Sequence, residues 1–279
     1  MIAIRRSILL LNAGHWSFCA FTATFDAFSR MHLAVPALEG SGFRVWTIDT
    51  ISGRVDDWTD EAPQSNAPDA NHPDSAPRGS GSCLALAFCS PPNTVLAGFE
   101  DGHVKFVDLE CPTTEVASTK VLSSAVMAIE RNPVNDELYC CGLDSKGIAC
   151  LSFNSSSDTS APELQNWMRP KSRKAMRGAD CISVRPDGKA VAAGCWDCRV
   201  RVFSTKTRSQ LASLQYHSST IPSVAFTPYD WMLAAAARDS TISLFDAFAK
   251  HTHGAADALK GKLALLQGDQ SVRRLDTGH

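Results

Sequence analysis

Short apolar runs, broken by tight polar turns, recur along this chain at intervals near forty residues. The clearest is Gly194-Cys195-Trp196-Asp197-Cys198-Arg199-Val200-Arg201-Val202-Phe203, preceded by the small apolar residues 191–193. Asp197 sits where the chain must reverse, and its short carboxylate can accept bonds from nearby backbone N–H groups. Val200, Val202 and Phe203 form a β-branched and aromatic run, so the pattern predicts strand, turn, strand. Forty-two residues on it returns without a gap, as Ala236-Ala237-Arg238-Asp239-Ser240-Thr241-Ile242-Ser243-Leu244-Phe245. The upstream strands match as well, Ile182-Ser183-Val184-Arg185-Pro186 against Val224-Ala225-Phe226-Thr227-Pro228.

Three further units surround this pair. One runs through 83–88 and 94–98, turns at Phe99-Glu100-Asp101-Gly102 and continues over 104–108, with Asp101 in the place of Asp197. A weaker one has strands at 126–129, 137–142 and 147–153; there Ser145 aligns with the turn aspartates and Asp144 with the residue before them. At the front, 4–11, 17–25, 31–36 and 43–49 read as strands, the last three in one sheet. Residues 59–82 carry Pro63, Pro68, Pro73 and Pro77 with no hydrophobic period, which predicts a disordered surface insertion. Residues 154–161 read as a polar loop, and no outer strand follows Phe245. Five such clusters, each too small to bury its own faces, predict an all-β fold, a β-propeller of the WD-repeat type spanning 1–247. A β-sandwich is the alternative, but it does not explain the gapless repeat. The tail, 248–279, reads as partly helical or disordered, with a helix candidate at 255–266.

Composition narrows the function. A net charge of −2 argues against a general nucleic-acid binder. Ten irregularly spaced cysteines in 279 residues do not form a disulfide framework, and reduced thiols are expected. The apolar run after Arg5-Arg6 stops at Asn12, shorter than a secretory core, and no stretch is long enough to span a membrane. A cytoplasmic or nuclear protein is expected, in which Asn154-Ser155-Ser156 is no glycosylation acceptor. There is no phosphate-binding glycine loop, His-Glu-x-x-His or Gly-x-Ser-x-Gly, so no catalysis, cofactor or small-molecule substrate is expected. Cys195-x-x-Cys198 has zinc-like spacing but no second pair, and reads as two incidental thiols; Cys140-Cys141 reads the same way. Arg169, Lys171, Arg173, Lys174 and Arg177 read as a solvated basic loop.

WD repeats tie a His, a Ser or Thr, the turn Asp and a Trp into one hydrogen-bonded set. Here His217 and Asp239 are two candidate members. The Trp place is Phe245, which has no N–H to give, and the small-hydroxyl place holds alanine. The set therefore reads as broken, with Asp101, Asp197 and Asp239 simply capping their turns. The residue before each turn Asp projects onto one rim. Glu100, Trp196 and Arg238, with Asp144 aligned to them, are thus the candidate partner-binding residues, Trp and Arg being enriched in binding hot spots.

An ordered set of motifs carries a closer resemblance. It comprises Leu33-Ala34-Val35-Pro36, Leu96-Ala97-Gly98-Phe99-Glu100-Asp101-Gly102, Val184-Arg185-Pro186-Asp187, Gly194-Cys195-Trp196-Asp197 with the strand after it, and Tyr216-His217-Ser218 with Val224-Ala225-Phe226. Over 7–247 the chain resembles the guanine nucleotide-binding protein subunit beta-like protein 1 family, whose fungal counterpart is ASTRA-associated protein 1. The resemblance implies a non-catalytic propeller of about seven blades. It also implies a cytoplasmic and nuclear role beside the co-chaperones that mature phosphatidylinositol 3-kinase-related kinases, which would be its protein partners. A substrate receptor of a ubiquitin ligase and a G-protein-beta-like signalling adaptor are the alternatives. About five blades are visible here, which predicts an open arc or an N-terminally shortened propeller. The other reading is a closed five-bladed ring in which 4–11 pair with 241–245. The proline-rich insertion has no counterpart in the family.

Overall fold

The second strand of each repeat is apolar on both faces, as a strand covered from two sides must be. Leu138–Gly142 and Ala190–Cys195 are buried at every position, whereas the first strand Cys83–Cys89 alternates between buried and half-buried. The computed structural model describes residues 21–246 apart from 27, 29, 37–41, 53, 61–80, 90–93, 110–116, 136, 145, 153–162, 172–175 and 229–231.

The described strands form five antiparallel sheets, each running in chain order from an inner to an outer strand. Sheet I holds β1 (Thr22–Phe25), β2 (Arg30–Pro36), β3 (Phe43–Asp49) and β4 (Val55–Asp60). Sheet II holds β5 (Cys83–Cys89), β6 (Thr94–Phe99), β7 (His103–Asp108) and β8 (Ala117–Lys120). Sheet III holds β9 (Val126–Arg131), β10 (Leu138–Gly142), β11 (Ile148–Ser152) and β12 (Glu163–Met168). Sheet IV holds β13 (Ala179–Val184), β14 (Ala190–Cys195), β15 (Arg199–Ser204) and β16 (Gln210–Gln215). Sheet V holds β17 (Ser223–Phe226), β18 (Met232–Ala236) and β19 (Ile242–Asp246).

Four apolar clusters join the sheets in series. Ala34, Phe43 and Val45 of sheet I meet Val95, Ala97 and Phe99 of sheet II. Leu96 and Phe106 meet Val126 and Ile129; Tyr139 and Cys150 meet Ile182, Val191 and Phe203; Val200 and Val202 meet Val224, Leu233 and Phe245. The inner strands β1, β5, β9, β13 and β17 adjoin one another in turn. This is a β-propeller arc, as the repeat period predicts. Among the described residues no apolar cluster joins sheet V to sheet I.

The outer strands β4, β8, β12 and β16 are absent from the sequence reading. Their residues, such as Gln-Leu-Ala-Ser-Leu-Gln in β16, carry little alternation because solvent lies along one edge. Thr59 and Asp60, assigned to the insertion, end β4. Residues 61–80, 4–11, 154–161 and the tail lie outside the described residues.

Sheets III and IV are also clasped by polar groups. Asn132, 1% exposed, donates from Nδ2 to the Gly188 carbonyl at 3.0 Å and to the Tyr139 hydroxyl at 3.2 Å. Tyr139 donates to Glu137 at 2.7 Å, and Arg208 closes the set on Glu137. Glu130 on β9 has no such help. Among the described residues its carboxylate finds no partner, and burial pushes its pKa up to about 7. A raised carboxyl pKa means that folding favours the protonated form. Stability is then fullest below the ordinary carboxyl range and falls as pH rises through about 7. Glu130→Gln should therefore stabilise the protein by about 2 kcal/mol at pH 8 and change it little at pH 4. Denaturant titrations at both pH values check this, and equal effects at the two would refute it.

Candidate interaction rim

In sheets II, IV and V the hairpin between the second and third strands is built alike. Ala97 faces Lys105, Ala193 faces Arg201 and Ala235 faces Ser243, leaving Asp101, Asp197 and Asp239 at the centres of the reversals. The residue after each aspartate takes a left-handed backbone: Gly102 (φ 89°), Cys198 (φ 61°) and Ser240 (φ 63°). The Gly102 N–H donates to the Phe99 carbonyl at 3.1 Å and the Ser240 N–H to that of Ala237 at 3.2 Å. This is a type I turn followed by a left-handed residue, a connection that suits the twist of a β-hairpin.

The turn aspartates share a place but not their partners. Asp101 accepts from the His103 N–H at 3.0 Å and lies 2.8 Å from His103 Nδ1. Asp197 is forked by Arg201 at 2.7 and 2.6 Å, and the Arg201 side chain is 6% exposed. Asp239 accepts from Thr241 N–H and Oγ1 at 3.0 and 2.6 Å and from the Ser218 N–H at 2.9 Å. Those bonds hold its pKa down at about 2 against the cost of desolvation.

The hydrogen-bonded set of sheet V is more complete than the sequence reading has it. His217 Nδ1 lies 3.3 Å from Asp239 Oδ2 and 3.1 Å from Thr241 Oγ1, and its Nε2 lies 2.7 Å from Ser243 Oγ. The missing hydroxyl is supplied from the neighbouring strand, since Ser243 stands directly opposite Ala235 in register. A linear comparison of repeats cannot find a group moved across a ladder. Phe245 packs in the cluster between sheets IV and V.

In sheet III the reading is corrected by one residue. Cys140 faces Ala149 there, so the hairpin is one residue longer than its counterparts. Asp144, placed on the rim by alignment, takes the turn role. It accepts from the Lys146 N–H at 3.1 Å, the Ser123 N–H at 3.3 Å and Ser123 Oγ at 2.8 Å, and is 6% exposed. Ser123 thus does for Asp144 what Ser218 does for Asp239, with Leu122 in the place of His217. Ser145 lies outside the described residues. The rim residue of sheet III is Leu143, 39% exposed.

The rim set is therefore Glu100, Leu143, Trp196 and Arg238, one from each successive sheet. Glu100 and Arg238 are exposed, and Trp196 is half-buried. Three of them are tied down through the backbone: Glu100, Trp196 and Arg238 donate to the carbonyls of Ser82, Gly178 and Thr220. Gly178 (φ 111°) brings two of the four together. A Cβ there would lie 3.4 Å from Leu143 Cα and 3.5 Å from Trp196 Cδ2. Leu143 and Trp196 so flank one glycine and form an apolar centre, with Glu100 and Arg238 on the sheets to either side. Such a surface can bind a protein; its groups do not converge on a point as a catalytic centre requires.

Cys195 and Cys198 do not converge either. Cys195 is buried and its thiol donates to the Ala193 carbonyl at 3.7 Å, while Cys198 sits on the turn. Burial pushes the thiol pKa of Cys195 up to about 11 and of Cys181 up to about 12. Among the described residues no group of three or more His, Cys, Asp or Glu side chains is placed to hold a metal ion.

Comparison with known proteins agrees with this geometry. The family described as WD domain, G-beta repeat matches residues 177–204 and 208–246, which cover sheets IV and V. ASTRA-associated protein 1 of Schizosaccharomyces pombe is 32% identical over 162 residues, 53% of this chain and 42% of that protein. Guanine nucleotide-binding protein subunit beta-like protein 1 of Mus musculus is 31% identical over 160 residues, 55% of this chain and 44% of that protein. The matched part thus spans less than half the length of each of these relatives. Among solved structures, the β-propeller domain of Myceliophteria thermophila Cps50 (Swd1) superposes with a TM-score of 0.62 at 16% identity. That match covers 88% of this chain and 70% of that one, and the likeness is one of fold.

Proposed function

We propose that this WD-repeat protein, related to ASTRA-associated protein 1 and to guanine nucleotide-binding protein subunit beta-like protein 1, is a non-catalytic interaction scaffold. The observation that carries the reading is the kinship, over about half the chain, with proteins named for association with ASTRA. The rim adds to it: Trp196 and Arg238, on adjoining sheets, are residue types enriched in binding hot spots. The finer proposal is that the partners are the co-chaperones that mature phosphatidylinositol 3-kinase-related kinases, together with those kinases, in the cytoplasm and nucleus. Affinity capture of the tagged protein from cells tests it. Recovery of kinase-maturation co-chaperones supports the reading, whereas cullin adaptors without co-chaperones would sink it. The double change Trp196→Ala with Arg238→Glu should lower recovery of those partners by about tenfold or more while leaving the melting transition in place. Undiminished recovery would remove the rim from the interface.

A further inference from the structure

The turns of sheets III and IV sort their charges by depth. Asp144 is 6% exposed and accepts from Ser123 and from the Lys146 N–H, while Asp197 is forked by the buried Arg201. Both carboxylates of the two turns are thus engaged inside the fold. The cations of the same sector stay outside. Lys146, exposed in the sheet III turn, holds its Nζ 5.4 Å from the centre of the Trp167 ring. Arg199, which follows the sheet IV turn, reaches the already forked Asp197 at only 3.9 Å. Arg177 is exposed and, among the described residues, has no carboxylate partner. Asp180, half-buried on β13, is a further carboxylate of this sector. The outward surface here is therefore basic, on a chain whose net charge is −2.

These cations flank the apolar centre of the rim. Arg177 immediately precedes Gly178, where a Cβ would lie 3.4 Å from Leu143 Cα and 3.5 Å from Trp196 Cδ2. Lys146 shares its turn with Leu143, and Arg199 closely follows Trp196 in the chain. A carboxylate brought here meets cations beside apolar side chains that exclude water, where the attraction is less screened. Sheet III packs on sheet II and sheet IV on sheet V through apolar clusters. This sector therefore has a described sheet on either side and does not depend on the ends of the arc.

We propose that this sector docks an acidic peptide segment of a protein partner; the inference rests on the scaffold reading above and names the chemistry that partner presents. An apolar side chain of the segment covers Leu143 and Trp196, and carboxylates on either side of it meet Arg177, Lys146 and Arg199. Arginine can hold a carboxylate through two parallel bonds, which fixes orientation as well as charge. A nucleic acid is a poorer fit, because these three cations around an apolar centre give no track for successive phosphates.

Fluorescence anisotropy of the 279-residue chain tests this, the probe being a labelled peptide of about twelve residues, glutamate and glycine around one phenylalanine. Binding should weaken about tenfold between about 50 and 300 mM salt. Arg177→Glu with Lys146→Glu should weaken it by about tenfold or more at low salt, with the melting transition kept. Arg177→Gln with Lys146→Gln is the second probe should that variant fail to fold. Lys189→Glu with Lys206→Glu makes the same charge change on exposed turns at the opposite end of sheet IV, and should shift the affinity by no more than about twofold. Replacing the peptide's phenylalanine with serine should cost about fivefold or more. A parent chain that does not bind the peptide, a control pair that loses as much as the rim pair, or a serine peptide that binds as well would each overturn the proposal. Competition by a single-stranded DNA of equal charge would do so too, as the mark of an indiscriminate anion patch. The scaffold reading fails separately: it falls if no co-chaperones are captured from cells, whether or not the peptide binds.

Discussion

Replacing Asp197 with alanine is expected to cost about 3 kcal/mol of folding stability, the largest loss among the turn aspartates. The loss comes from what the change strands. Arg201 on β15 is buried to 6% exposure, and the Asp197 carboxylate is the acceptor for both arms of its guanidinium. Without it a charge that cannot give up its proton is left in an apolar wall between sheets III and IV. Asp101→Ala removes the corresponding carboxylate in sheet II. Its partner His103 is about a third exposed, so water replaces the lost contact and the cost should stay near 1 kcal/mol. Denaturant titration of the two variants checks the contrast, and equal losses would contradict it. The double change Asp197→Ala with Arg201→Met should recover much of the deficit, because it removes the stranded charge along with its partner.

Gly102→Ala is expected to cost about 3 kcal/mol or more, for a steric reason. Gly102 has φ 89°, and a Cβ there would sit 2.2 Å from the Leu122 carbonyl oxygen and 2.8 Å from that of Ser124. Both neighbours are backbone, and Val121 and Leu122 donate their N–H groups to the Gly102 carbonyl, so the loop cannot retreat without breaking bonds. At the equivalent place in sheet IV the chain tolerates Cys198 at φ 61°. There the reverse change, Cys198→Gly, should gain about 0.5–1 kcal/mol by relieving a left-handed side chain. Melting curves of the two variants should therefore move in opposite directions. A neutral Gly102→Ala would show that the loop before β9 can give way.

The hydrophobic period and the gapless 42-residue repeat were sufficient for the sheets, their order and the propeller class, because each repeat needs a neighbour on either face. Turn chemistry was sufficient for Asp101, Asp197 and Asp239, since a short acceptor at a reversal depends on local backbone alone. Three features were not legible. The outer strands carry no strong alternation, since they are held by a ladder on one edge and not by burial. Asp144 was displaced by one residue because nothing in a linear alignment reveals that the sheet III hairpin is longer; the strand register does, and the bonds from Ser123 show which residue takes the turn role. Ser243 was passed over because its hydroxyl reaches His217 from the strand beside the expected one, and cross-strand neighbours are set by register. The sequence by itself determined which segments become strands and where the chain turns, through alternation and backbone preference over a few residues. Only the tertiary structure decided that Ser123 serves Asp144 and Ser218 serves Asp239, that Asn132 reaches Gly188, and that Leu143 and Trp196 adjoin across Gly178. Those contacts join groups some 20 to 60 positions apart in the chain, brought together by sheet packing.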